Sequence, residues 1–436
     1  MKKFLKKLIP NFVFSFYYYF LAIVGAIIYG FPSRKLIVIG VTGTKGKTSV
    51  INYVWSCLSA GGDKVGLIST ANVKIGLTES LNKYHMTMPG RFTIQKLMAR
   101  MVREGCKYCL VEVTSEGIKQ FRHKGIIFDV AVFTNLTPEH LTSHGGSFEK
   151  YKQTKGKLFS SLKHKNKIIN DNSVQTLIVA NIDDSNANYY LNFSADKKIS
   201  FALNAKADFK ADDIVENKDH TEFSVSGDRY KLMIPGVFNV YNALPAIAIA
   251  KHFGLSQKEI VLGLNSLSLI PGRMEKINEG QDFLVYVDYA HEKQSMKYIL
   301  DTARKLITPN DKVIVLLGAE GGGRDKAKRA DMGALAGELA DYVFVTNVDP
   351  YDDEPKQIIE DIATVVESKG KVRNLNLFTN EDRRESIKQA LFTAKEGDIV
   401  MITGKGAEQS MIIAGGSIPW DDRVVVREEL KKVLNK

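Results

Sequence analysis

The sequence predicts an α/β protein with two successive units, each built on a mostly parallel sheet, preceded by an apolar helix. Three observations carry that expectation. From Pro32 onward, short apolar runs of strand length alternate with longer stretches of helical periodicity, the pattern of parallel strands joined by crossover helices. The first of those runs, Leu36–Val41, opens into a glycine-rich turn and then a helical stretch, Thr48–Ser59. The Pro271-Gly272 turn divides the pattern in two and reads as a domain boundary. At 436 residues the chain is long enough for more than one sizeable core, and 44% hydrophobic with 25% charged residues is the balance of a folded globular chain.

The apolar helix comes first. Lys2, Lys3, Lys6 and Lys7 precede an aromatic-rich run, Leu8–Phe31, interrupted by Pro10, Asn11 and Ser15. Residues 1–31 are expected to lie in a membrane interface, lysines at headgroup level and aromatics beneath, with docking on the protein as the alternative. A simple span is disfavoured, because the lysines would hold the N-terminus in the cytoplasm and send the glycine-rich turn to the far side.

In the first unit, strands are expected at Leu36–Val41, Lys64–Ser69, Tyr108–Val113, Asp129–Phe133 and Thr176–Ala180. Short alternating runs between Ile199 and Ile234 suggest antiparallel structure, and helices resume at Tyr241–Phe253 and Gln257–Ser266. In the second unit, strands Leu284–Val287, Lys312–Leu317, Tyr342–Thr346 and Asp398–Ile402 alternate with helices near Lys293–Leu306, Lys328–Leu339, Pro355–Ser368 and Asp382–Lys395.

The turn after Leu36–Val41 has the chemistry of a phosphate cradle. Glycines Gly43 and Gly46 let the backbone close around phosphate oxygens, and the helix start at Lys47-Thr48-Ser49 offers N–H groups and a favourable dipole. Lys47 can reach a terminal phosphate and the Thr48 hydroxyl can hold Mg²⁺. Val41 stands where the longer G-x-x-x-x-G-K-[ST] pattern has its first glycine, so the form present is the shorter G-x-x-G-K-T.

Charge and cysteine narrow the class. A net charge of +11 suits nucleic acid, an anionic membrane or acidic small substrates. The basic residues are spread along the chain without an RNP-like, zinc-finger or helix-turn-helix signature, so no nucleic-acid partner is expected. Cys106 and Cys109 form a lone C-x-x-C without the two further ligands of a zinc site, and with Cys57 they read as structural thiols of a reducing compartment.

Two further stretches carry chemistry. Glu112 lies inside an apolar strand near its carboxyl end, where a carboxylate is costly unless it meets a cation. Either a Mg²⁺ shared with the phosphate loop or a nearby Lys or Arg would serve. The segment Phe133–Gly146 brings His140 and His144 to the end of another strand, where a neutral imidazole can ligate metal, and Lys155 follows.

These residues together resemble the Mur ligase family, of the MurE type. The blocks are Val41–Thr48, Val111–Ser115, Thr134–Leu141, Tyr151–Lys155, Gly236–Asn242, Pro271–Glu275, Val287–His291, Gly323–Lys326 and Gly404–Glu408, in the family's order. The resemblance implies a P-loop central ATPase domain over 32–270, a C-terminal Rossmann-like α/β domain over 271–436 that binds the incoming amino acid, and a separate helix over 1–31. It implies that Gly43, Thr44, Gly46, Lys47, Thr48 and Ser49 hold the ATP phosphates, that Asn239 and Asn242 lie near the adenine, and that Arg273, Asp288 and His291 complete the nucleotide site. Thr48, Glu112, His140 and Lys155 would serve two Mg²⁺ ions, Lys155 as a carbamate, with Lys47, Lys155 and His140 catalytic. Thr87, Thr114, Ser115, Asp349, Lys405 and Glu408 would contact substrates. The implied reaction joins an amino acid to a muramoyl-peptide acceptor through an acyl phosphate, in cell-wall biosynthesis, in the cytoplasm or at the inner face of the membrane.

Three departures qualify the resemblance. MurE ligases carry a uridine-binding domain before the loop, whereas about forty residues precede it here, which directs attention to a lipid-linked acceptor. The diaminopimelate-type block Asp-Asn-Pro-Arg reads Val348-Asp349-Pro350-Tyr351, so the arginine that grips a second carboxylate is missing, while Asp352, Asp353 and Glu354 suit a cationic side chain or simple solvation. Ala407 and Lys45 replace the usual His and Asn of their blocks. The alternatives are a folylpolyglutamate-synthase-like ligase and a membrane-associated, nucleotide-binding pseudo-ligase that acts as a scaffold.

Overall fold

The computed structural model describes residues 11–84, 86–139, 141–162, 167–169, 171–323 and 326–434. The expectations placed on residues 1–10, on His140 and on Arg324 and Asp325 of the Gly323–Lys326 block lie outside them. Two compact units form: Met1–Glu216 with His220–Ser268, and Leu269–Lys436 with Asn217–Asp219.

In the first unit the apolar runs become the centre of an eleven-stranded sheet. Its parallel core is Leu177–Asn181, Val130–Phe133, Ile37–Thr42, Tyr108–Glu112 and Val65–Ile68, side by side in that order. All five strands are buried throughout. Strands covered on both faces read as continuous apolar runs, which is why sequence alone could locate them. Antiparallel strands close both edges: Asn72–Ile75 and Thr78–Leu81 on one side, Thr221–Val225 and Asp228–Leu232 on the other.

The expected change to antiparallel structure begins later than Ile199. Lys197–Ala202 still pairs in parallel with Leu177–Asn181, and antiparallel pairing starts between Phe209–Glu216 and Thr221–Val225. Lys197–Ala202 alternates because it is only half covered: Ile199 and Phe201 are buried while Lys198 is exposed. The helix expected from Tyr241 starts at Val237, which puts Asn239 and Asn242 one turn apart near its start.

The N-terminal helix Asn11–Ile28 is docked on the helix Arg91–Arg103. The seam is made of small residues. Ala22, Gly25 and Ala26 are buried, and a Cβ on Gly25 would lie 3.3 Å from the Arg91 carbonyl oxygen. The Arg91 guanidinium stacks on the Tyr18 ring, 4.1 Å from its centroid. The sequence weighted the membrane interface over docking because alanine and glycine leave no apolar stripe to announce a docked face. Among the described residues no helix is long and apolar enough to cross a membrane.

The second unit carries a six-stranded sheet in the order Glu275–Ile277, Leu284–Asp288, Ile399–Thr403, Val313–Leu317, Tyr342–Thr346, Leu377–Asn380, parallel except for the first strand. The C-terminal helix Asp422–Leu434 is tied to it by a buried ion pair. Arg383 Nε and Nη2 donate to Asp422 at 2.8 and 2.6 Å, and Nη2 also donates to the Thr403 carbonyl. A two-pronged pair of this kind satisfies both buried charges and fixes orientation.

Candidate active site

The phosphate loop stands where the sheet order reverses. From Ile37–Thr42 the chain crosses to strands on one side, then returns to Val130–Phe133 on the other. Loops diverge there, and a crevice opens at the carboxyl ends of the strands. The register sets Val41 beside Glu112 and Thr42 beside Phe133, so the loop leaves the sheet between Glu112 and Thr134.

Close packing explains the glycines. A Cβ on Gly43 would fall 1.9 Å from Thr134 Oγ1; Gly46, at φ 78°, would meet Asn242 Oδ1 at 2.3 Å. The loop is braced from the neighbouring strand end. Thr44 N–H donates to the Asn135 carbonyl and Lys45 N–H to Asn135 Oδ1, both at 2.8 Å, while Thr134 Oγ1 donates to the Lys45 carbonyl at 2.7 Å. The helix Lys47–Ala60 starts at Gly46 with no side-chain cap, so its positive end faces the crevice. Thr48 and Ser49 are buried in its first turn, and Lys47 Nζ donates to the carbonyls of Gly43 and Thr44.

Glu112 is buried, and three donors gather on its Oε2: Thr48 Oγ1 at 3.0 Å, Thr70 N–H at 2.8 Å and Thr70 Oγ1 at 3.0 Å. Among the described residues it makes no ion pair, which sets aside the Lys or Arg partner within them. With its proton given to Glu112, Thr70 Oγ1 accepts from the Thr87 hydroxyl at 2.8 Å, bringing Thr87 into the group. Thr114 caps the short helix Ser115–Lys119, accepting from Gly117 N–H, and Ser115 is buried beside it. No three His, Cys, Asp or Glu side chains gather into a metal cage among the described residues. The Thr48 hydroxyl and Glu112 carboxylate are hard oxygen donors, which fits Mg²⁺, an ion that keeps much of its shell for water and phosphate.

Lys155, on the helix Phe148–Phe159, is buried with its Nζ donating to the Gly43 carbonyl at 2.8 Å. Burial, then the neighbouring Lys47, hold its pKa well below the ordinary 10.5. Tyr151 from the same helix lies within hydrogen-bond reach of Thr44 Oγ1 and carries Lys155 over its ring. His144 packs on Tyr151, and burial, then Lys119, depress its pKa to about 4, so its imidazole is neutral.

In the second unit Arg273, Tyr289, Glu408, Lys405 and Asp349 form one chain of contacts. The Arg273 guanidinium lies 4.3 Å from the Tyr289 ring centroid. Tyr289 Oη donates to Glu408, and Glu408 first, then burial, hold its pKa well above the usual value. Lys405 Nζ donates to Asp349 and Glu408, each at 2.9 Å. His291 Nδ1 meets the Tyr289 carbonyl at 2.6 Å and its ring packs on Tyr289. Asp288 braces backbone: its two oxygens accept from Met274 and Ala290 N–H at 2.7 Å. At the departed diaminopimelate block, Tyr351 takes a left-handed backbone at φ 56°, and Asp353 lies 3.8 Å from Arg329.

Sequence reasoning passed over Thr70 and gave no role to Asn135 and Tyr289 within their blocks. Each directly follows a strand's carboxyl end or lies just beyond it, the one positional signal available for them. All three cysteines are buried, and burial raises their thiol pKa values, against a thiolate role.

Comparison with known proteins agrees with this geometry. The Mur ligase middle domain matches residues 41–250, and the Mur ligase, glutamate ligase domain matches residues 272–406. UDP-N-acetylmuramoyl-L-alanyl-D-glutamate--2,6-diaminopimelate ligase 1 of Clostridium acetobutylicum is 35% identical over 420 residues, covering 95% of this chain and 82% of its own. A solved structure of such a diaminopimelate ligase is 28% identical, with a TM-score of 0.60 over 92% of this chain and 79% of that one. Mycobacterium tuberculosis folylpolyglutamate synthase, at 17% identity and a TM-score of 0.69 over 96% and 95% of the two chains, shares the fold. With both domains matched in order and a relative aligned along 95% of this chain, the chain belongs to the Mur ligase family.

Proposed function

We propose that the protein is an ATP-dependent ligase that joins an amino acid to a muramoyl-peptide acceptor in peptidoglycan synthesis. The observation that carries this reading is the convergence of Lys47, Lys155, Thr48 and Glu112 on one glycine loop at the switch point of the sheet. In that reading Gly43, Thr44, Gly46, Thr48 and Ser49 seat the phosphates of ATP, and Lys47 swings from the loop carbonyls to the transferring phosphoryl group. The acceptor carboxylate attacks the γ-phosphorus and ADP leaves. The amine then attacks the resulting acyl phosphate, and inorganic phosphate leaves as the amide forms. Two Mg²⁺ ions, when bound, neutralise charge that builds on the phosphoryl oxygens.

Residues of the chain hold the rest. Thr48 and Glu112 would hold one ion, and His140 and a carbamylated Lys155 the other. Lys155 suits that modification because burial favours its neutral amine, and only a neutral amine adds CO₂. Asn239 and Asn242 hold the adenine side, and Arg273, Asp288 and His291 contribute to the nucleotide from residues 271–436. Thr87, Thr114 and Ser115 contact the acceptor; Asp349, Lys405 and Glu408 contact the amino acid. Residues 1–31 bring the ATPase domain, 32–270, to the inner face of the membrane. Tyr351, where diaminopimelate-type ligases carry arginine, leaves the second carboxylate of that amino acid without its grip.

The test is amino-acid-dependent release of phosphate from ATP, with a panel of amino acids and with UDP-linked muramoyl dipeptide or folate as acceptor. Turnover with the muramoyl dipeptide supports the reading. Turnover with folate alone, or ATP binding without turnover on any acceptor, contradicts it.

A further inference from the structure

The N-terminal helix is built inside out. In a helix that merely packs on its domain, large apolar side chains face inward and polar ones outward. Here the docked side is Ala22, Gly25 and Ala26, whereas Val13, Phe16, Tyr17, Phe20, Ile27 and Ile28 are exposed. At 100° per residue those six fall within an arc of roughly 120°, opposite the docked seam. Their exposure is large where it matters: Phe16 is 70%, Phe20 54% and Ile28 63% exposed. The helix itself contains no charged residue. A contiguous apolar face of this kind marks an interaction surface.

Charge says what covers it. Among the first 35 residues stand Lys2, Lys3, Lys6, Lys7, Arg34 and Lys35, and no aspartate or glutamate occurs before Asp63. An unbroken basic flank at both ends of an aromatic face matches an anionic bilayer, whose surface attracts lysine and arginine by about 1 kcal/mol each and whose interface accepts aromatic rings. The side of the helix opposite this face is held on the protein, so the helix lies in the plane of the surface.

We infer that the protein docks on anionic membrane through the face formed by Val13, Phe16, Tyr17, Phe20, Ile27 and Ile28, with the helix still seated on Arg91–Arg103. This rests on the reading of residues 1–31 as a membrane contact and assigns its face, its lipid class and its orientation. The attachment also touches the acceptor side of the domain: Arg91, which holds Tyr18, donates to the Gln120 carbonyl just beyond the helix that Thr114 caps.

The test is flotation of the full-length chain with vesicles of phosphatidylcholine alone or mixed with phosphatidylglycerol. The chain should float with the mixed vesicles and release as salt is raised. The variant Phe16→Ser/Phe20→Ser/Ile27→Ser should lose at least about tenfold in vesicle affinity while its melting midpoint and its ATP-dependent shift stay those of the parent. Phe16→Trp/Phe20→Trp should keep binding and show a blue-shifted emission on mixed vesicles. Failure of the parent to float with either vesicle overturns the membrane contact itself. Undiminished flotation of the serine variant, with no blue shift of the tryptophan variant, overturns the assigned face alone. Self-association of the parent, abolished by the serine variant and unaffected by vesicles, assigns the face to a second copy and overturns the bilayer.

Discussion

Lys155 in the first unit and Lys405 in the second are buried alike, at 2% and 0% exposure, yet their surroundings are opposite. Lys155 donates to the Gly43 carbonyl and stands near Lys47, and its pKa is driven well down. Lys405 lies between Asp349 and Glu408, and although burial works against its charge, Glu408 and then Asp349 outweigh it and raise the pKa. A buried amine whose nearby carboxylates, Glu139 and Glu112, do not offset burial and Lys47 is a reactive group held ready; a buried ammonium between two carboxylates is a fixed charge. In the proposed reading the same residue type serves modification in one unit and positioning in the other.

Breaking the second arrangement should have the largest effect. Lys405→Met leaves Asp349 and Glu408 without their shared cation and should cost about 3–5 kcal/mol in denaturant unfolding. A loss below about 1 kcal/mol would erase the contrast. Lys155→Met should do the reverse, leaving stability within about 1 kcal/mol while turnover falls roughly 10²–10³-fold, by the removal of one charged group from the phosphoryl site.

The contrast extends to a buried imidazole of the first unit. His123 has no hydrogen-bond partner for either ring nitrogen among the described residues, and burial, then Lys124, lower its pKa from 6.5 to about 3. The unfolded chain therefore binds a proton that the folded one refuses between those values. Stability is complete above pH 6.5 and should fall by up to about 1.4 kcal/mol per pH unit below it. His123→Phe should flatten that part of a urea-midpoint profile, and an unchanged slope would assign it elsewhere. The smallest effect belongs to Lys45, whose Nζ lies 3.3 Å from the partly exposed Glu139: Lys45→Asn should change stability by about 1 kcal/mol or less. A calorimetric loss well beyond that would make the pair part of the loop's framework.

Much of this was legible in the sequence where one residue breaks a local pattern. Glu112 interrupts an apolar strand, and Gly46-Lys47-Thr48 opens a helix with residues that packing does not need, so both announced themselves. Arg383 and Asp422, 39 residues apart, form a buried pair that no local signal joins. Thr70 is an ordinary threonine until folding sets it against Glu112. The edge strand Thr78–Leu81 is mostly exposed and polar, so no apolar run marks it. The helix Asn11–Ile28 showed its apolar character, while its docked face, being alanine and glycine, stayed silent.

In the proposed reaction this site makes an acyl phosphate from a carboxylate and ATP. The most direct test labels the acceptor carboxylate of muramoyl dipeptide with ¹⁸O and analyses the phosphate released as the amino acid is joined. One ¹⁸O is expected in each phosphate, because the acceptor oxygen that attacks the γ-phosphorus departs with it. Phosphate without label, formed alongside the amide, would contradict it.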